Sequence, residues 1–303
     1  MDWKYKFYRH YRKSKNIIAA NWFKEKGYDV QHKYPFILDK KDNWVNNIIL
    51  DTVYGFIQAE RKIALDNNNP FPIHDYIHHG LSSQAMLFNL LGDVVMKKDI
   101  KTLSEIFDFK NVQIKNDSII KFEHCNRDTF NEKQQQPTSM DFVILNKEGE
   151  NIFLESKLVE TEFGNCSTIK QGECDGQNPI DNPSMCYLTF KGRKYWELMK
   201  KYDLHKSYAN SPICPLSIYY QFFRELIFSI ENKGYYVILI DKENPSFIKG
   251  ESGFERGLIP TLTKSLPLQI KSKIKIIYIQ DVLSILEKNR YIWVKEFRNK
   301  YGI

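Results

Sequence analysis

Three ionisable residues meet at one end of a short predicted hairpin. Residues 139–157 form two β-rich runs joined by a polar turn that contains glycine. An antiparallel pair folded at that turn places Asp141, near the start of the first strand, close to Glu155 and Lys157, which end the second. Side chains alternate along a strand, so Glu155 and Lys157 share one face. The sequence therefore predicts two carboxylates and an ammonium at one spot.

These residue types suit a metal-dependent site that cleaves phosphodiesters. Two carboxylates can hold Mg²⁺, a hard ion that prefers oxygen ligands and keeps several waters. A lysine beside them can orient the attacking water, lower its pKa, or offset charge on the phosphorus oxygens. We expect Asp141 and Glu155 to be the metal ligands and Lys157 to be the catalytic cation. Mn²⁺ is the expected substitute for Mg²⁺.

The same residues resemble the motif of the PD-(D/E)XK nuclease superfamily. Asp141 and the run Glu155-Ser156-Lys157 match it, although Met140 stands where the motif has its leading proline. That position binds no metal, so we expect the change to be tolerated. Residues 155–164 resemble the E-x-K-x-x-E-x-x-F-G run of a subgroup of bacterial restriction endonucleases. Residues 82–92 resemble the same subgroup's Ser-Gln helix with a later Asn, and the likeness covers roughly residues 78–242.

The resemblance implies an α/β fold with a restriction-endonuclease-like core, a mixed β-sheet flanked by helices. It also implies a Mg²⁺-dependent DNA endonuclease, acting in restriction or defence against phage. One alternative is a repair, recombination or RNA nuclease on the same fold, and another is a catalytically idle nucleic-acid-binding protein. The intact Asp, Glu and Lys set counts against the idle protein. A further alternative is a solvated hairpin whose Glu155 and Lys157 form a surface pair, but the apolar residues around them favour an internal strand.

Four residues near the hairpin are candidate accessory groups. Glu123, on the preceding strand, could add a carboxylate to the metal site or be a surface charge at a strand edge. Gln84 lies in the first turn of its helix, where its amide could reach the hairpin end or cap the helix. Glu160 and Glu162 follow Lys157 and could face the cleft or form structural salt bridges.

Two candidate accessory groups lie on a later helix. Gln221 could orient the lysine, and Arg224 could clamp a phosphate. Gln and Arg side chains on helices are usually solvated, so the alternative is that both residues are solvated and have no role in the site.

Other metal sites are disfavoured by the sequence. Three histidines suggest zinc, but a partly exposed helix start explains them better. Five cysteines occur without any C-x-x-C pair, which argues against zinc or an iron–sulfur cluster and favours reduced thiols. The histidines are His74, His78 and His79, and the cysteines are Cys125, Cys166, Cys174, Cys186 and Cys214.

Charge and composition limit the partners. The balance of 44 Lys and Arg against 37 Asp and Glu gives a net charge of +7, which suits a polyanionic partner. We expect this partner to be double-stranded DNA, bound by a chain that could act as a homodimer. No apolar signal core and no stretch of transmembrane length occurs, so we expect a cytoplasmic protein that does not contact membranes.

The order of predicted elements agrees with the resemblance. Residues 1–75 are expected to be an N-terminal helical extension packed on the core, and residues 76–303 the nuclease core, with a loop-rich insert at about 160–195. Terminal helices are expected after the last strand. The other predicted helices span residues 1–27, 44–66, 82–97 and 215–231, and the strands span 118–125, 139–145, 152–157, 235–241 and 274–279.

Overall fold

A mixed five-stranded sheet organises the chain. The computed structural model describes residues 5–133, 137–251 and 254–303. Three strands form an antiparallel meander, and two further strands add in parallel, in the order β1-β2-β3-β4-β7. A separate hairpin consists of β5 and β6. The strands are β1 (Ile119–Asn126), β2 (Thr138–Leu145), β3 (Asn151–Lys157), β4 (Gly234–Ile240), β5 (Lys249–Glu251), β6 (Phe254–Arg256) and β7 (Ile274–Tyr278).

Helices cover both faces of this sheet, which confirms the predicted α/β class. Strand alternation sends Phe142 and Leu154 to one apolar core and Val143 and Phe153 to the other. The α-helices are α1 (Tyr5–Glu25), α2 (Asp51–Asp66), α3 (Ser83–Met96), α4 (Ile100–Ile106), α5 (Ser167–Lys170), α6 (Tyr187–Phe190), α7 (Tyr195–Lys201), α8 (Pro215–Ile218), α9 (Tyr220–Glu231), α10 (Leu258–Thr263), α11 (Leu268–Lys271), α12 (Ile279–Lys288) and α13 (Val294–Tyr301). Short 3₁₀ helices span Lys41–Asn47, Pro183–Met185 and Leu204–Tyr208.

The parallel half of the sheet is the more deeply enclosed. Every residue of β4 is buried, because helices pack on both of its faces. The first helix lies against the end of this region, where Lys15 and Asp241 form a buried ion pair of 2.8 Å. Tyr11 adds a hydrogen bond of 2.8 Å to the same carboxylate. Within the described ranges, no helix is both long and apolar enough to span a lipid bilayer.

The predicted helix 44–66 is wrong as one element. The chain forms a 3₁₀ helix up to Asn47, runs extended, and begins α2 at Asp51. Hydrogen bonds of two asparagine side chains stabilise this break in the helix. The Nδ2 of Asn47 donates to the carbonyls of Ile77 and His79, both at 2.7 Å, and the side chain of Asn89 accepts the backbone N–H of Ile49 at 2.7 Å.

The predicted helix 215–231 is also broken, at Tyr219, between α8 and α9. The first N–H groups of α9 donate to a loop rather than to a preceding helical turn. The N–H of Tyr220 reaches the Gly164 carbonyl at 3.1 Å, and that of Gln221 reaches the Phe163 carbonyl at 2.9 Å. The loop after β3 is thereby fixed against the start of α9. Residues 1–4, which the sequence places in the first helix, lie outside the described residues.

Candidate active site

Three carboxylates lie on neighbouring strands in the antiparallel part of the sheet. The pairs on either side of Glu123 and Asp141 set Glu123 of β1 level with Asp141 of β2. Asp141 and Glu155 come directly beyond the last pair of β2 with β3, which is Phe142 with Leu154. All three side chains are buried. Glu123 has a left-handed backbone (φ 53°), a conformation that costs a residue with a side chain about 1 kcal/mol or more. Glu123 is therefore part of the interior of the site and not a surface charge at a strand edge.

Asp141 is held by the residue between the glutamate and the lysine of the motif. The backbone N–H of Ser156 donates to Asp141 Oδ2 at 2.8 Å, and the Ser156 hydroxyl donates to the same oxygen at 2.7 Å. These two bonds fix the carboxylate on one side. Both bonds go to Oδ2, and among the described residues no hydrogen bond to Oδ1 is present.

Glu155, Lys157 and Gln221 form a closed triangle of hydrogen bonds. The lysine Nζ donates to Glu155 Oε1 at 2.6 Å and to Gln221 Oε1 at 2.8 Å, and Gln221 Nε2 donates to Glu155 Oε1 at 2.7 Å. Glu155 and Lys157 are only 4% and 6% exposed, which rules out the solvated surface pair. The structure brings Gln221 to the lysine by the docking of α9 on the loop after β3.

Gln84 joins two parts of the site. Its Nε2 donates to Glu123 Oε1 at 2.6 Å and to the Pro72 carbonyl at 2.9 Å, while its Oε1 accepts the backbone N–H of His74 at 2.9 Å. It does not cap its helix, because the Ser82 hydroxyl accepts the N–H at that end. Gln84 thus reaches the end of the hairpin region through Glu123.

His74 is a site residue that the sequence interpretation assigned to a helix start. One ligand atom each from His74, Glu123 and Asp141 lies within 4.8 Å of the others. His74 is exposed at the mouth of the cavity, and His78 and His79 are not part of this group. In the ranges that the structure describes, no group of three or more such ligands contains a cysteine, and the five thiols are free.

The remaining accessory candidates have different positions. Glu160 faces the cavity, and its Oε2 also accepts the Leu158 N–H at 2.7 Å. Glu162 is exposed and does not line the cavity. Arg224 lines it with the guanidinium 4.9 Å from the centre of the Tyr220 ring.

The sequence interpretation missed Glu225, a fully buried residue of α9. The Tyr236 hydroxyl donates to Glu225 Oε2 at 2.9 Å, and the other oxygen is buried without a partner. Only the apolar character of its helix face could have indicated it, since Phe222 and Phe228 lie three residues before and after Glu225.

The cavity that these groups line has a volume of about 590 Å³ and is strongly acidic. Among the described residues, its permanently cationic side chains are Lys157 and Arg224, and His74 lies at the rim. The carboxylates that line it are Glu123, Glu132, Asp141, Glu155, Glu160 and Glu225. Six carboxylates against two permanent cations would repel a polyanion unless a further positive charge is present.

Burial perturbs the titration of these groups. It raises the pKa of Asp141 to about 6, and burial together with the neighbouring Asp141 raises the pKa of Glu155 to about 7. The pKa of Glu225 rises to about 8 for the same reason, with Glu155 as the neighbour, and that of Glu123 lies well above its usual value. Burial opposes the charge of Lys157, but Glu155 outweighs it, and the pKa of the lysine lies above its usual value. Without a bound metal ion, the ionised forms of these neighbouring carboxylates repel one another.

Most of the chain matches a known protein family. The family described as "Restriction Endonuclease associating with ARP" matches residues 11–302. No curated protein and no solved structure matches the chain.

Proposed function

The chain belongs to the family of restriction endonucleases associating with ARP, which gives it a nuclease role, and from that premise we propose a Mg²⁺-dependent DNA endonuclease of PD-(D/E)XK type. The observation that carries the proposal is the buried group of Asp141, in the middle of β2, with Glu155 and Lys157, near and at the C-terminal end of β3. We further propose double-stranded DNA as the substrate, restriction or phage defence as the setting, and an association with ARP like that in the family's description.

The residues present fit a bound divalent cation. Oxygen ligands predominate, and the carboxylates are too close and too buried to ionise together without a compensating charge. Asp141 and Glu155 would hold the ion, with Glu123 beside them. A bound Mg²⁺ supplies Lewis acidity toward a phosphate oxygen and an acidified water.

The chain's own residues supply position and charge. Lys157 keeps its proton at neutral pH, and its Nζ is held at one place by Glu155 and Gln221. A fixed ammonium in a buried cleft stabilises negative charge that builds on the phosphate during hydrolysis. Arg224, on the same helix as Gln221, offers a second cation for a neighbouring phosphate.

Cleavage of supercoiled plasmid with Mg²⁺, beside an EDTA control, tests the proposal directly. We expect Asp141→Asn and Glu155→Gln to abolish cleavage while DNA binding stays or improves, because each change removes a metal ligand and also lessens repulsion of phosphate. Glu162→Gln is the matched control, since Glu162 is exposed and outside the cavity, and it should cleave like wild type. Full cleavage by either site variant would remove that residue from the proposed ligands.

A substrate panel separates the proposed role from the alternatives. Sequence-dependent cutting of duplex DNA supports restriction. A preference for forked or branched DNA, or for RNA, would replace that setting with repair, recombination or RNA processing on the same fold.

A further inference from the structure

One corner of the acidic cavity carries a nitrogen ligand. His74 lies on the loop before α3, Glu123 on β1 and Asp141 on β2, and one ligand atom of each lies within 4.8 Å of the other two. An ion between three such atoms would need only small side-chain movements to bind all of them at about 2.0–2.2 Å. Glu155 is not part of this group, and its Oε1 accepts hydrogen bonds from Lys157 and Gln221.

Two of the three candidate ligands share one support, and the third is held by another residue. Gln84 is buried, and its single amide binds the backbone N–H of His74 through Oε1 and the carboxylate of Glu123 through Nε2. The loop that carries the imidazole and the strand that carries the carboxylate are therefore fixed relative to each other. Ser156 fixes Asp141 in the same way. Hydrogen-bonded support of this kind is typical of metal ligands.

A second observation, elsewhere in the same cavity, is a buried carboxylate oxygen without a hydrogen bond among the described residues. Glu225 is fully buried in the same cavity, and its Oε1 has no hydrogen-bond partner. An orphaned carboxylate oxygen in an enclosed acidic cavity is costly unless a positive charge is near. His74 lies at the exposed rim while Glu123 and Asp141 lie inside, which gives an ion a route from solvent to the buried oxygens.

The nitrogen ligand determines which ion the corner prefers. Mg²⁺ binds oxygen almost exclusively and gives up its waters reluctantly, whereas first-row transition ions gain affinity from an imidazole. We propose that His74, Glu123 and Asp141 form a mixed nitrogen and oxygen site that selects a first-row transition ion, with Mn²⁺ as the probe, over Mg²⁺. This inference rests on the proposed function only in sharing Asp141 and the adjacent Glu123 with it.

The test is calorimetric binding of Mn²⁺ and of Mg²⁺ to the metal-free protein, with thermal melting in each ion as a second readout. We expect wild type to bind Mn²⁺ the more tightly. We expect His74→Ala to lose about tenfold or more of the Mn²⁺ affinity and much less of the Mg²⁺ affinity. His74→Asp, which supplies oxygen in place of nitrogen, should narrow the preference between the ions. The matched control His32→Ala removes an exposed histidine outside the cavity and should change neither affinity.

The outcomes separate this inference from the nuclease proposal. The inference would be overturned if His74→Ala, in a protein that melts like wild type, loses equal affinity for both ions or keeps its full affinity for Mn²⁺. If Mg²⁺-dependent cleavage persists in that case, the nuclease proposal stands alone. If the Mn²⁺ pattern is found but no metal supports cleavage of any nucleic acid, the site stands and the proposed function fails.

Discussion

Replacing Glu225 with glutamine isolates the electrostatic cost of the cavity. The side chain is fully buried, and burial together with Glu155 raises its pKa from the usual 4.5 to about 8. Its ionised form is therefore disfavoured in the folded, metal-free protein. This rise in pKa lowers the free energy of unfolding by at most about 5 kcal/mol. The full loss is reached only at a pH where the carboxyl is ionised in both the unfolded and the folded chain. Relaxation of the site reduces that figure, and we expect Glu225→Gln to stabilise the protein by at least about 1 kcal/mol at pH 8.

The pH dependence gives the sign of the effect. Below about pH 4.5 the carboxyl is protonated in both states, and wild type and variant should have similar free energies of unfolding. As the pH rises, the unfolded chain ionises first, so wild type loses stability relative to Glu225→Gln until about pH 8, where the difference levels off. The Tyr236 hydroxyl can still donate to the glutamine oxygen.

Urea unfolding in EDTA between pH 5 and pH 8.5 measures this difference. Glu197→Gln, an exposed change on α7, is the matched control and should show no such trend. A variant that is less stable than wild type at pH 8, or a difference that does not grow with pH, would refute the argument that ionised Glu225 opposes folding.

Three further predictions concern the catalytic cation, the substrate and the helix packing. Lys157→Arg should lose most single-turnover cleavage yet still bind Mg²⁺, because the guanidinium is too broad for the buried place beside Glu155, and near wild-type cleavage by Lys157→Ala would contradict the catalytic role. Affinity for duplex DNA should fall steeply with salt as counterions are released, and a constant affinity from low to physiological ionic strength would argue against backbone binding. Gly92→Ala should cost about 1–3 kcal/mol in urea unfolding, since its Cβ would lie 2.5 Å from Val53 Cγ1 between α3 and α2, whereas Gly55→Ala, with open space, should be neutral or stabilising.

The central hairpin was predictable because local rules determine it. Alternation and a polar turn are enough to bring Asp141 close to Glu155, and the two residues come directly beyond the last pair of the hairpin, Phe142 with Leu154. The almost wholly apolar run that became β4 likewise predicts a strand covered on both faces. Both inferences depend on neighbours within a few residues, which a sequence displays directly.

Long-range hydrogen bonds account for the errors. The sequence of residues 44–66 predicts one continuous helix. The break follows from hydrogen bonds that the side-chain amides of Asn47 and Asn89 make to segments distant in sequence. His74 joins the acidic group because Gln84, ten residues later, holds its loop. Spacing along the chain does not show such pairings, so the position of His74 beside Glu123 and Asp141 could not be inferred from it.

The contact between α1 and α13 has a consequence for how the chain folds. Lys15 donates to the carbonyl of Gly302 at 2.9 Å, a hydrogen bond that joins residues 287 positions apart. During synthesis α1 is complete long before α13 has been made, so the apolar side chains of α1 have no packing partner there until then. Closing so long a loop is slow, and the native arrangement of α1 is among the contacts of highest sequence separation in the fold. We therefore expect α1 to dock late, after the sheet has formed, with its aromatic face exposed to chaperones in the interval.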